Sequence, residues 1–142
     1  LDIVPKNEII NAISDYINKL QPNILYLPYP HDVHSDHASV FEALSPFSKS
    51  FRYPFISIIR LYETLSETEF STNINEAFNP NLWVDISMYL DKKIEIMELY
   101  ENEVGEHPFP RSEKNIRALA TFRGATGGFN AAESFITLKE VI

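Results

Sequence analysis

The sequence has no cysteine, four glycines and one tryptophan among 142 residues. Without cysteine it can form neither disulfides nor thiolate metal sites, and it has no cysteine nucleophile. Its apolar runs are well short of the roughly 20 residues that cross a bilayer, and no signal-peptide pattern opens the chain. Twelve Lys and Arg against twenty Asp and Glu give a net charge of −8, which leaves few cations for phosphate contacts. We expect a soluble, cytoplasmic protein with no nucleic-acid partner and no membrane span.

Hydrophobic residues make up 44% of the chain and charged residues 23%, which is typical of a globular domain. The length predicts one domain, residues 1–142, with a single sizeable core. Helical spacing of apolar residues predicts helices over residues 7–20, 36–44, 87–104 and from 112 onward. Short apolar runs predict buried strands over residues 23–29, 55–62 and 82–86. This alternation favours an α/β fold with a mostly parallel sheet.

Local signals place the ends of these elements. Asp36 is a candidate N-cap for the second helix, with Ser39 and Glu42 as an alternative capping box, and Ser87 is a candidate cap for the third. Residues 63–80 lack any periodicity and are predicted to be loop. The glycine-rich residues 124–128 are predicted to be a turn, and the state of residues 131–141 is left open.

Three of the four histidines lie within seven residues: His31, His34 and His37. They follow a predicted buried strand and precede a predicted helix, which is where open α/β sheets place their ligand sites. A helix N-terminus disfavours imidazolium, so His37 stays neutral and able to bind a metal, and Asp36 can orient one of the rings. His and carboxylate ligands suit Zn²⁺ with an open catalytic position. A solvated polar loop without metal is the alternative, and composition and position leave both open.

The stretch Leu-Pro at residues 27–28 through Asp-Val-His-Ser-Asp-His at 32–37 resembles the second motif of the LmbE/PIG-L family, the zinc-dependent N-deacetylases of amino-sugar conjugates. Residues 83–87 with 90–93 resemble the family's strand-to-helix segment. Residues 123–124 with 132–135 resemble its C-terminal signature. The resemblance extends from about residue 6 to residue 135. It implies a Rossmann-like three-layer α/β/α sandwich.

The resemblance also implies roles for individual residues. His37 would be a zinc ligand, and His34 would lie near the substrate carbonyl, where it stabilises the tetrahedral intermediate or protonates the amine. Asp36 would orient His34 or tune its charge. Arg123 would contact a sugar hydroxyl or an anionic group of the substrate, with a salt bridge to Glu133 or another surface acid as the alternative.

The family's other motif, of the type Ala-His-Pro-Asp-Asp-Glu, does not occur in the sequence. That motif supplies two zinc ligands and the general base. Asp32 matches a common family position, and we expect it to serve loop structure. We therefore expect the C-terminal portion of such an enzyme, with an incomplete sheet, an incomplete zinc site and no activity alone.

The expected function of the parent protein is removal of the N-acetyl group from an N-acetylglucosamine-type sugar conjugate. A non-catalytic sugar-binding or assembly module with the same fold is an alternative, as is a metal hydrolase that acts on another amide. An incomplete sheet presents strand edges that drive association. We therefore expect a homo-oligomer or association with the missing N-terminal part.

Overall fold

A computed structural model describes residues 1, 3–73 and 75–142. The helices within these residues are α1 (Lys6–Leu20), α2 (Ser35–Leu44), α3 (Leu90–Glu98) and α4 (Glu113–Gly127), and a 3₁₀ helix spans Ser45–Ser48. The strands are β1 (Ile24–Pro28), β2 (Ile58–Tyr62), β3 (Leu82–Asp85) and β4 (Ala132–Glu140). None of the described helices is long and apolar enough to cross a membrane.

The strands form one sheet in the order β1-β2-β4-β3. β1 and β2 are parallel, with Ile24 opposite Ile58 and Pro28 opposite Tyr62. β3 and β4 are antiparallel, with Leu82 opposite Phe135. The expected α/β class is confirmed, whereas the expectation of a mostly parallel sheet is confirmed only for β1 and β2. The sequence of a strand as short as β3 does not indicate whether it pairs in a parallel or an antiparallel direction.

The chain divides into two compact units, and β4 contributes residues to both. The first comprises Leu1–Asn79 with Ile136–Ile142. There α2 packs against α1 and β1. The first core consists of buried apolar side chains from α1, β1, β2 and the segments that follow β1 and precede β2: Ile17, Leu27, Tyr29, Phe47, Ile56, Ile59 and Leu61. That the whole chain is a single domain stays a prediction.

The second unit is Pro80–Phe135. Here α4 packs against β3 and α3, around a small core of Ile86, Ala120 and Ala131. The predicted turn at residues 124–128 is wrong, because α4 continues to Gly127 and ends only at Gly128, which has φ of 81°. A Cβ added at Gly124 would lie 2.7 Å from the carbonyl oxygen of Phe129. Gly124 therefore permits the backbone of residues 129–131, which follows α4, to approach the helix closely.

The third helix is shorter than predicted, since α3 covers only Leu90–Glu98. Ser87 does not cap it. The backbone N–H of Ser87 donates to Oδ1 of Asp85 at 2.9 Å, and its hydroxyl donates to the same oxygen at 2.6 Å. Hydrogen bonds from the hydroxyl, and then from the backbone, lower the pKa of Asp85. The two residues thus form a turn between β3 and α3.

We predict that Phe47→Ala lowers the free energy of unfolding by about 3–5 kcal/mol, the usual cost of emptying a large buried aromatic site. Phe47 is 1% exposed in the first core. Phe51→Ala is the matched control, because Phe51 is 79% exposed and such surface changes stay within about 0.5 kcal/mol. Urea denaturation measures both. Equal midpoints for the two variants would contradict this description of the core.

A second prediction concerns the turn after β3. Ser87→Ala should raise the pKa of Asp85 towards the ordinary carboxyl range, because the hydroxyl bond that favours the charged form is lost. Ser87→Thr keeps a hydroxyl and should keep the lowered pKa. Carbon NMR of the Asp85 carboxyl during a pH titration measures both variants. An unchanged midpoint in Ser87→Ala would show that the hydroxyl does not stabilise the carboxylate.

Candidate functional site

The histidine loop, residues 29–37 with His31, His34 and His37, lies at the edge where β1 and β2 end. Pro28, the last residue of β1, is opposite Tyr62, the last residue of β2. Because the strands are parallel, the segments that follow them leave from the same edge, the usual ligand-binding edge of an open α/β sheet. The backbone N–H of Val33 donates to the carbonyl oxygen of Glu67 at 3.2 Å. The segment after β2 therefore lies against the histidine loop.

The side chain of Asp32 also joins the two segments, and it is 0% exposed. Its Oδ1 accepts from the hydroxyl of Thr68 at 2.7 Å, and its Oδ2 lies 2.7 Å from Nδ1 of His37. The backbone N–H of Thr64 donates to the Thr68 oxygen at 2.8 Å, so the hydroxyl proton of Thr68 points to Asp32. With the carboxylate as acceptor, Nδ1 of His37 must carry a proton. The neutral ring then has its lone pair on Nε2.

His34 is the N-cap of α2, and its Nδ1 accepts from the backbone N–H of Asp36 at 3.2 Å. The predicted cap at Asp36 is wrong, because α2 begins at Ser35 and the cap is the residue before it. The predicted capping box is also absent, since the hydroxyl of Ser39 donates to the carbonyl oxygen of Ser35 at 3.0 Å. A neutral imidazole that accepts at Nδ1 carries its proton on Nε2. His34 thus has the opposite tautomer to His37.

The two rings lie side by side. The centroids of His34 and His37 are 5.4 Å apart, with 21° between the planes. His34 is exposed, whereas the side chain of His37 is 24% exposed. One ring therefore presents an acceptor nitrogen, and its neighbour presents an N–H. Such a pair can bind a metal through one ring and donate a hydrogen bond or a proton to a substrate through the other.

The carboxylate of Asp36 is placed differently from that of Asp32. It is 36% exposed, and its Oδ1 lies 2.6 Å from the backbone nitrogen of Leu1. Asp32, which sequence reasoning assigned to loop structure, is the carboxylate that orients the ring of His37. The role of Asp36 beside His34 stays a prediction.

A second set of contacts joins the histidine loop to the segment after β2. Nε2 of His31 lies 2.5 Å from a carboxylate oxygen of Glu76, and the hydroxyl of Tyr29 donates to the carbonyl oxygen of Glu76 at 2.7 Å. Burial, and then the charges of Glu76 and Asp32, raise the pKa of Tyr29. Burial and the charge of Asp32 also raise the pKa of Tyr62. The negative charge of Asp32 thus acts on two tyrosines near the site.

Arg123, the predicted substrate-binding residue, lies on α4 in the second unit. It is half-buried, and its guanidinium carbon is 5.3 Å from the centre of the Phe122 ring. Glu133 forms an ion pair with Lys93 at 2.5 Å. Contact between Arg123 and a substrate stays a prediction.

His37 fits the role of a metal ligand. Its ring is held at Nδ1 by a buried carboxylate with the lone pair on Nε2, the arrangement that metal-binding histidines commonly have. Within residues 1, 3–73 and 75–142, no group of three or more His, Asp or Glu side chains could hold a metal ion. The described chain thus offers one well-oriented ligand, and zinc binding stays a prediction.

We predict that His34→Ala lowers the free energy of unfolding by about 0.5–2 kcal/mol, the usual cost of losing an N-cap side chain. His34→Asn should restore most of that stability, because asparagine is among the best N-cap residues. Urea denaturation at neutral pH compares the two variants with the wild type. If His34→Ala gives the same midpoint as the wild type, the ring of His34 does not stabilise the start of α2.

No family model matches the chain, but solved structures share its fold. The conserved protein TT1542 from Thermus thermophilus has a TM-score of 0.69 at 19% identity, over 98% of this chain and 61% of that one. The N,N'-diacetylchitobiose deacetylase from Pyrococcus horikoshii has a TM-score of 0.70 at 20% identity, over 96% of this chain and 54% of that one. The chain thus spans little more than half the length of these proteins, and it has a fold that a carbohydrate deacetylase also has.

Proposed function

We propose that the protein carrying this chain is a zinc-dependent carbohydrate N-deacetylase that removes the acetyl group from an N-acetylglucosamine-type conjugate. The observation that supports this most is the pair of stacked histidines at the ligand-binding edge of the sheet, whose Nδ1 atoms have different partners, a backbone N–H for His34 and a carboxylate for His37. The likeness of the fold to a chitobiose deacetylase supports the substrate class.

In this proposal Nε2 of His37 holds the zinc ion. The chemistry that zinc supplies in such a site is Lewis-acid activation of water and of the acetamide carbonyl. A catalytic zinc has about three protein ligands, and the described residues gather no such group. The remaining ligands and the general base are therefore assigned to residues outside this chain, and the chain alone is expected to be inactive.

His34 is the acid in this proposal. Hydrolysis of an acetamide needs a donor for the developing oxyanion and a proton for the departing amine. The exposed Nε2–H of His34 can supply either, because Nδ1 is engaged with the backbone of α2. The carboxylate of Asp36, next to this ring, would stabilise the positive charge that His34 acquires.

Arg123 is assigned to the sugar or to an anionic group of the conjugate.

β1 lies at one end of the strand order, and its outer edge can pair with a further strand. This supports association with another copy or with the rest of the protein. We also propose a cytoplasmic location.

The test uses the full-length protein and two variants of the site. His37→Ala should remove most of the bound zinc and the activity. His34→Asn keeps a helix cap and should keep the zinc, while turnover falls roughly 10²-fold or more, the scale of a positioned acid. His107→Ala is the matched control, because His107 is an exposed loop histidine in the second unit. Metal analysis and release of acetate from an N-acetylglucosamine conjugate are the measurements.

Full zinc content in His37→Ala would show that the ligand assignment is wrong. A protein that binds the conjugate but releases no acetate with zinc present would favour the non-catalytic sugar-binding module. Release of a different acyl group would favour a hydrolase of another amide. Each outcome is read against His107→Ala, which should behave as the wild type.

A further inference from the structure

We propose that Asp32 and Thr68 are positioning residues that fix the tautomer of His37, so that the segment after β2 decides which ring nitrogen faces a ligand. The proposal concerns the metal-free ring. It deepens the proposed function. Only its consequence for zinc binding at His37 rests on that function.

The first step is the burial of the Asp32 carboxylate. Its side chain is 0% exposed, so water cannot satisfy its oxygens. A buried carboxylate without donors is costly, and each oxygen here has one, from Thr68 at 2.7 Å and from His37 at 2.7 Å. Loss of the proton at Nδ1 of His37 would leave Oδ2 without its donor. The burial therefore holds the proton on Nδ1.

The second step is the direction of the Thr68 hydroxyl. The backbone N–H of Thr64 donates to the Thr68 oxygen at 2.8 Å, and this leaves the hydroxyl proton for Oδ1 of Asp32. The hydroxyl holds Oδ1, and the carboxylate then keeps Oδ2 at 2.7 Å from Nδ1 of His37. Thr68 therefore fixes the orientation of the carboxylate that in turn fixes the ring.

The third step is how the segment after β2 is held in place. Val33 and Glu67 join the two loops through backbone atoms at 3.2 Å, and Glu76 binds both Tyr29 and His31. Long segments without helix or strand inside a compact unit are commonly functional. These contacts keep Thr68 against Asp32, although 36 positions separate the two residues in the sequence.

The consequence concerns what His37 can bind. A ring with its proton on Nδ1 presents a lone pair at Nε2 and accepts a metal or a hydrogen-bond donor there. The opposite tautomer would present an N–H at the same place and could bind neither. Asp32 and Thr68 thus make His37 a ligand, while the backbone of α2 makes His34 a donor.

The experiment is long-range ¹H–¹⁵N NMR of the histidine rings in the metal-free chain, at a pH where the rings are neutral. In the wild type, His37 should show one protonated nitrogen, Nδ1, and one unprotonated nitrogen, Nε2. Thr68→Val, which has the same size without the hydroxyl, should replace this pattern with averaged shifts. Thr68→Ser should restore it, and Asp32→Asn should lose it. His107 is the internal reference and should be unchanged throughout.

A wild-type His37 protonated on Nε2, or an unchanged pattern in Thr68→Val, would overturn the proposal. If Asp32→Asn does not fold, as judged by its backbone amide spectrum, the two Thr68 variants decide the question. Adding Zn²⁺ to the full-length protein separates the two proposals. A fixed Nδ1–H tautomer in the metal-free chain, with an Nε2 signal that Zn²⁺ leaves unmoved in the full-length protein, would support the positioning role and contradict the ligand assignment.

Discussion

A carboxylate that water cannot reach must be satisfied by protein donors, and this requirement at Asp32 organises the surroundings of the histidine loop. Its two oxygens receive the hydroxyl of Thr68 and the ring of His37, both at 2.7 Å. These two donors belong to different parts of the chain, one after β2 and one in the first turn of α2. Satisfying one buried charge therefore fixes a loop, a helix start and a histidine ring together.

The two neighbouring histidines differ in the hydrogen bonds that their Nδ1 atoms make. The backbone of α2 binds Nδ1 of His34, and a buried carboxylate binds Nδ1 of His37. One contact is to a donor and the other to an acceptor, so the two Nε2 atoms differ in chemistry. Two identical side chains thus have different hydrogen-bond partners at Nδ1 without any difference in residue type.

Much of the fold could be predicted because its signals are local. The apolar spacing in α1 and α4 and the apolar runs of β1 and β2 each depend on a few adjacent residues, and the structure confirms these elements. The errors arose where packing overrides local preference. Gly124 resembles a turn residue, yet it lies within α4. Glycine is needed there because the carbonyl oxygen of Phe129 approaches too closely for a side chain.

The candidate site could be predicted only in part, for the same reason. The position of His34 and His37 after a buried strand was sufficient to single them out. The sequence did not identify the partner of His37, because Asp36 is adjacent in sequence and Asp32 resembles an ordinary loop residue. A contact such as that between Asp32 and Thr68 depends on the parallel register of β1 and β2, which no local pattern specifies.

That register has a consequence for how the site forms during folding. Residues separated by 36 positions meet only after a long loop has closed, and the entropy lost in closing it must be offset by the β1–β2 pairing. The ring geometry of His37 therefore depends on the paired strands and is not a property of the local sequence alone. A peptide containing only the histidine loop would have the same residues and spacing, but its His37 ring would not be fixed in one tautomer.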